Sequence, residues 1–278
     1  MPRWSSRSAE EPSPVITLLS DYGSSGVYVG VLHAVIARIC PDARIIDVTH
    51  RIEAGDLLGG ALALADALQF VPVGVHLAVV DPGVGSDRHA LALRCRDGRI
   101  LVGPDNGLLG LAAELAGGVV EVVEISDSPR ILDPVSATFH GRDIFAPVAA
   151  ALAAGKPLVA AGDPLDATQL IELELPMPQL DGSTLIATVT TVDGFGNLAL
   201  MALASDAAAA GREPGSIVSV HGAERTLYAR YGRTFSDVGA GRLLLFEDSN
   251  GRLALAINGG SAAETLGTWP GDKVRLGR

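Results

Sequence analysis

The chain reads as an α/β domain built on a mostly parallel sheet, followed by a smaller all-β domain, a barrel or a sandwich. Three features predict this. From Val15 to Ala154, short β-branched runs alternate with longer stretches of helical spacing. Beyond Gly155 the texture changes to short alternating runs parted by glycine turns, and Pro157, Pro164, Pro176 and Pro178 punctuate the stretch where it changes. The expected organisation is a leader at 1–14, an α/β domain at 15–160, a linker at 161–180 and a β domain at 181–278.

Val15 to Leu19 is a buried strand whose exit loop is Ser20-Asp21-Tyr22-Gly23, after which Val27, Val31, Val35 and Ile39 recur near helical period until Pro41. Ala43 to Val48 is a second strand, Thr49 to Gly55 its loop, and Leu57 to Leu68 an Ala/Leu-rich helix that ends before Pro72. Val75 to Val80 is the third strand and delivers Asp81-Pro82-Gly83-Val84-Gly85 at its carboxyl end, where ligands of parallel sheets bind. Leu91–Cys95 and Ile100–Val102 form a hairpin across Asp97-Gly98, and Gly103-Pro104-Asp105-Asn106-Gly107 leads into a helix over Leu108–Leu115. A strand follows at Val119–Ile125, and Thr138-Phe139-His140-Gly141-Arg142-Asp143 opens an apolar helix over Ile144–Ala154. In the β domain the strands are expected at Leu185–Val192, Leu198–Met201, Ile217–Val220, Leu243–Phe246, Leu253–Ile257 and Val274–Leu276, with Ala202–Ala210 as an Ala-rich loop or short helix.

With 48% hydrophobic and 19% charged residues among 278, the chain can bury a large core. A net charge of -11 and only 4% aromatics argue against nucleic acid, whose binding needs cationic side chains and stacking rings. The apolar runs are shorter than the roughly 18 residues of a membrane span. Residues 1–14 lack the apolar segment of a signal peptide, and Cys40 and Cys95 stand apart without a CxxC spacing, so a reducing, cytoplasmic setting is expected.

Asp21, Asp47/His50, Asp81/Arg88, Asp105/Asn106 and His140/Asp143 all fall in loops after predicted strands and so converge on one rim. Taken singly, each has an ordinary reading as turn chemistry or packing. Gly83-Val84-Gly85 lacks the third glycine of a dinucleotide fingerprint, and there is no GxxxxGK[ST]. No HxxxH, HxD or HExxH spacing ties two metal ligands to one element, although strand-end Asp and His residues leave a metal-dependent phosphohydrolase as an alternative.

The ordered series Leu19-Ser20-Asp21-Tyr22-Gly23, Asp47-Val48-Thr49-His50, Val80 to Gly85, Gly103 to Gly107, Thr138 to Asp143, Asp193-Gly194-Phe195-Gly196-Asn197 and Ile257-Asn258-Gly259-Gly260-Ser261-Ala262 resembles the S-adenosyl-L-methionine (SAM) hydrolases, or SAM hydroxide adenosyltransferases. These are relatives of the fluorinase and chlorinase enzymes, and the resemblance runs from about Val15 to Leu276. It implies a homotrimer with active sites between subunits, no cofactor and no metal. The implied reaction is attack of water or hydroxide on the ribose 5′ carbon of SAM, giving adenosine and L-methionine.

By the same resemblance Asp81, Arg88 and His140 form the water-activating set. Asp21 would accept the ribose diol, Asp193 the methionine ammonium and Ser249 its carboxylate. Asn197 would read an adenine edge beside the backbone of Asn258 and Gly259, with Phe139, Phe195 and Phe235 as walls, unless those rings serve core packing. Halogenases carry Tyr at the positions of Asp81 and His140, and fluorinase carries a halide-binding Ser where Gly141 stands, so the hydrolase pattern is the one followed. Gly55 and Asn250 depart from fluorinase, which has Trp and Arg there. His50, His89, Asp105, Asn106, Arg142 and Asp143 are expected to shape turns, caps and ion pairs. A module that binds SAM or adenosine without turnover stands as a second alternative.

Overall fold

The computed structural model describes residues 13–278, so the expected leader at 1–14 lies, but for its last two residues, outside the described residues. The chain divides into two compact units, one ending at Leu173 and one running from Glu174 to Arg278.

The first unit comprises β1 (Val15–Ser20), α1 (Tyr28–Ile39), β2 (Arg44–Thr49), α2 (Leu57–Leu68), β3 (Val75–Val79), β4 (Ala90–Cys95), β5 (Ile100–Pro104), α3 (Gly110–Leu115), β6 (Val119–Glu124), α4 (Ala146–Ala153) and the short β7 (Asp163–Pro164). Its sheet runs β2-β1-β3-β5-β4-β6-β7. Strands β2, β1, β3 and β5 are mutually parallel, whereas β4 pairs antiparallel with both β5 and β6, and β7 antiparallel with β6. The sheet is therefore mixed: the tight return at Asp97-Gly98 brings the chain back as a hairpin, which a parallel pairing could not accommodate.

Alternation along the strands builds a core on each face. Ile16 and Leu18 of β1 and Leu77 and Val79 of β3 pack with Leu32 and Ile36 of α1 and Val148 and Ala149 of α4. Leu19, Ala78 and Val80 face the other way, toward Ala61 and Leu64 of α2 and Ala112 of α3. Every residue of β3 is buried, as befits a central strand covered on both sides. Asp56 caps α2, its carboxylate accepting from Gly59 N–H at 2.9 Å. The helix expected from Leu108 begins two residues later, because the Asn106 side chain accepts from Leu108 N–H at 3.2 Å and holds a turn there.

The second unit contains β8 (Gln179–Asp181), β9 (Thr184–Val192), β10 (Leu198–Leu203), α5 (Ala204–Ala209), β11 (Ile217–His221), β12 (Thr226–Tyr231), β13 (Leu243–Glu247), β14 (Arg252–Ile257), α6 (Ala262–Leu266) and β15 (Lys273–Gly277). The order β10-β14-β13-β12-β11-β15-β9 closes through a β9–β10 pairing into a seven-stranded barrel, with β8 added at β9. Closure leaves no free edge around the ring. Leu185, Val189, Leu200, Val218, Val220, Leu245, Leu255 and Val274 fill its interior. Among the described residues no helix is long and apolar enough to cross a membrane. Cys40 and Cys95 are buried free thiols.

Candidate active site

Asp81, Arg88 and His140 come together in the first unit. Asp81 follows the carboxyl end of β3, and Arg88 lies in the loop before β4. That loop folds back through Val84 N–H to Asp81 O at 3.2 Å and Ser86 N–H to Gly83 O at 3.1 Å. Gly85, at φ +78°, lets it lie against the 137–140 segment, since a Cβ there would sit 2.5 Å from the Ala137 carbonyl oxygen. His140 immediately precedes a single π-turn, Gly141–Phe145, that leads into α4. Such turns are frequent at functional sites because they redirect side chains within a helix start. The π-turn is pinned by Asp143, 1% exposed, whose carboxylate accepts from Ser136 N–H at 2.8 Å and from Arg142 at 2.5 and 2.8 Å.

Arg88 is the hub. Its Nε donates to Asp81 Oδ1 at 2.9 Å, and its Nη2 bonds both to Asp81 Oδ2 and, at 3.0 Å, to His140 Nδ1. Nη1 donates to the His89 carbonyl at 3.2 Å, and the guanidinium lies 5.3 Å above the Phe145 ring. The side chains of Arg88 and Asp81 are only 9% and 6% exposed, so this fork is shielded from the water that weakens surface ion pairs. A guanidinium has no acceptor, hence His140 Nδ1 must accept, and neutral His140 carries its proton on Nε2. Burial first, and Arg88 second, press the His140 pKa below its ordinary value, with Asp81 and Asp143 opposing. The imidazole is thus neutral at pH 7 and offers an Nε2–H donor.

Asp21, after β1, shares this end of the sheet. Gly55 N–H donates to its Oδ2 at 3.0 Å, which leaves Oδ1 for a ligand. Phe139 packs edge-on against Tyr22 at 5.6 Å and Tyr28 at 5.0 Å, with Arg142 5.1 Å from its ring, so it is tied into a local aromatic cluster. Tyr22 is a residue that motif reading passes over. A Cβ on Gly141 would collide with the Tyr22 hydroxyl, so the phenol fills the space that a side chain at 141 would need. Burial, with Asp21 and Asp81, drives its pKa well upward and keeps the hydroxyl protonated. The signal for it in the sequence is an aromatic residue set between the loop carboxylate and Gly23.

In the second unit a cavity of about 420 Å³ is lined by Phe195, Asn197, Phe235, Ile257, Asn258, Gly259 and Gly260. Phe195 is 81% and Phe235 44% exposed, unusual solvation for aromatic rings and consistent with a binding surface. Asp193 shapes the loop: it accepts from Phe195 N–H at 2.8 Å, Asn197 N–H at 2.9 Å and Asn197 Nδ2 at 2.8 Å. The Asn197 amide therefore keeps its carbonyl oxygen for a ligand. Asn258 Nδ2 bonds the Phe235 and Val238 carbonyls at 3.2 and 2.8 Å and so fixes the turn bearing Phe235. Ser249 is exposed on the β13–β14 turn and does not line this cavity. Among the described residues no group of three or more His, Cys, Asp or Glu side chains is placed to hold a metal ion.

Two family models match the chain, the SAM hydroxide adenosyltransferase N-terminal domain over residues 16–162 and its C-terminal domain over 187–275. A protein named (R)-S-adenosyl-L-methionine hydrolase from Salinispora tropica is 47% identical over 273 residues, 95% of this chain and 98% of that protein. A fluorinase from Nocardia brasiliensis is 27% identical over 95% of this chain and 96% of its own. The crystal structure of an uncharacterized conserved protein from Thermotoga maritima superposes with a TM-score of 0.87 at 38% identity, covering 95% of this chain and all of that one (100%). Matched by both domain models and by a near-full-length relative, the chain belongs to the SAM hydroxide adenosyltransferase family.

Proposed function

We propose that the protein hydrolyses SAM to adenosine and L-methionine, water attacking the ribose 5′ carbon while the sulfonium departs as a neutral thioether. The observation that carries this is the hydrogen-bonded, part-buried Asp81–Arg88–His140 constellation, in a chain whose hydrolase-named relative matches nearly end to end. A sulfonium needs no general acid or Lewis acid to leave, so the protein's task is to hold and orient the nucleophile. His140 Nε2–H donates to the attacking oxygen and stabilises hydroxide character there. Both Asp81 oxygens bond Arg88, yet each retains a second lone pair, and the carboxylate is the one anion of the trio able to draw the water proton. Arg88 stays charged throughout, fixes both partners and prevents His140 Nδ1 from carrying the proton.

The remaining assignments are part of the same proposal. The free Asp21 oxygen accepts the ribose diol and Phe139 walls the site, while the cavity at Phe195, Asn197, Phe235, Asn258 and Gly259 takes adenine. Asp193 faces the methionine ammonium, and Ser249 its carboxylate. The family resemblance supports a homotrimer in which one subunit's water-activating residues serve the nucleoside pocket of a neighbouring subunit, without metal or cofactor, and the isolated Cys40 and Cys95 favour a cytoplasmic setting. The test is chromatography of SAM incubated with purified protein, with and without EDTA. Equimolar adenosine and methionine, unaffected by EDTA, are expected, and Asp81→Ala, Arg88→Ala and His140→Ala should each cost about 10²-fold or more in turnover while SAM still binds. SAM retained intact would favour a binding module instead.

A further inference from the structure

The loop that carries Asp21 is gripped at both ends by one residue. Ser20, 1% exposed, ends β1 with its Oγ 2.7 Å from His50 Nδ1, and Gly23 N–H donates to the His50 carbonyl at 2.7 Å. Asp21 and Tyr22 stand between these attachments, and Tyr22 N–H adds a 3.3 Å bond to Ser20 Oγ. Ser20 Oγ, which accepts from that amide, donates to His50 Nδ1, because the acceptor-only Asp47 carboxylate draws the ring proton to Nε2. That nitrogen is buried and stands 3.1 Å from Asp47 Oδ1, close enough for electrostatic attraction but without hydrogen-bond alignment. His33 Nε2 holds the same Asp47 oxygen at 2.9 Å from the more exposed side. Burial tends to raise the Asp47 carboxyl, but His33 and His50 outweigh it and keep the group below the ordinary carboxylate range. Ser20 is too deeply buried to be a nucleophile, so the chain Ser20–His50–Asp47–His33 serves the loop and not a second reaction.

We propose that His50 is a positioning residue for SAM hydrolysis: by fixing Ser20 and Gly23 together it holds the Asp21 carboxylate where the ribose diol must meet it, and Asp47 with His33 braces the imidazole from outside. This rests on the SAM-hydrolase reading. Gly55 N–H holds only Oδ2 and Asp21 N–H is tied to the Val79 carbonyl at 3.3 Å, so the direction of the free Asp21 oxygen also depends on the flanking backbone at Ser20 and Gly23, where His50 attaches. A misdirected Asp21 carboxylate weakens substrate binding before it slows the chemical step, because the water-activating set stands on other loops.

The experiment measures SAM kinetics and calorimetric adenosine binding for wild type, His50→Ala, His50→Asn, Asp21→Ala and the His50→Ala/Asp21→Ala double variant. His50→Ala is expected to raise KM for SAM and Kd for adenosine about tenfold with kcat within about threefold, and His50→Asn to recover most of the loss. The double variant should bind no worse than Asp21→Ala alone, since the two residues act through one contact. Unchanged binding in His50→Ala, a fall in kcat with KM preserved, or losses that add in the double variant would overturn the proposal. Should His50→Ala not fold, Asp47→Asn decides: a raised KM supports the bracing, an unchanged KM contradicts it. A wild-type protein that leaves SAM intact would fail the functional reading, a result separate from the variants, whose adenosine binding would still test the loop.

Discussion

Arg88 decides what His140 can do. Its obligatory donation to Nδ1 makes the neutral imidazole a donor at Nε2, so activity requires His140 unprotonated, a condition that burial and Arg88 favour by lowering its pKa. Falling pH must therefore pass below the usual imidazole value of about 6.5 before His140 charges, repels Arg88 and the sulfonium, and loses its place. We predict that kcat stays level from pH 8 to below that value and declines only at more acid pH; a pH–rate profile with its acid limb centred above pH 7 would contradict this. The Gly141–Tyr22 contact makes a second prediction at this scale. Gly141→Ala should cost about 1–3 kcal/mol by overpacking, and Tyr22→Phe, which removes the colliding hydroxyl, should recover part of it; urea unfolding of the single and double variants measures the coupling. The loop positions of Asp81, Arg88 and His140 were legible in the sequence because motif order and loop placement coincide. The tautomer of His140 and the crowding of Tyr22 were not, since both arise from contacts between segments far apart in sequence.

Among the elements, β3 carries a further buried titratable group. His76 is fully buried beside its register partner Thr17 of β1, whose Oγ1 lies 2.9 Å from Nδ1, while Nε2 has no hydrogen-bond partner. Burial, then Arg99, lower its pKa to about 4. The unfolded chain, with an ordinary histidine, binds this proton first, so stability is lost as pH falls from about 6.5 and the loss is complete below the folded value. The shift corresponds to about 3 kcal/mol. Wild type should therefore lose about that much more stability than His76→Gln between pH 7 and pH 4; equal losses in urea titrations would refute the assignment. Element reading from the sequence succeeded where hydrophobic alternation was strong, as in β1, β3 and β14. It missed β12, because Thr226, Tyr228 and Arg230 face outward and only Ala229 and Tyr231 are fully buried, so no apolar run marks the strand. Of the sheet's antiparallel half only the β4–β5 hairpin was legible, from its tight turn; the β4–β6 and β6–β7 pairings were hidden, since β6 reads as a strand without stating its direction.

For the whole molecule, the proposal demands more than one subunit per site. Light scattering should report a trimer or a multiple of it, and exchanged mixtures of Arg88→Ala and Asp193→Ala subunits should regain part of the activity by uniting an intact half from each. A fully active monomer, or verified exchange without complementation, would contradict the shared site. The two-unit organisation could be read from the change of texture after Gly155, but the barrel's closure could not, because it depends on the β9–β10 pairing returning the last edge to the first. Attack of water on the ribose carbon leaves an isotopic trace. SAM is turned over in H₂¹⁸O and both products are weighed by mass spectrometry. One ¹⁸O atom is expected in the 5′-hydroxyl of adenosine and none in methionine; unlabelled adenosine, or label in methionine, would rule out water attack at that carbon.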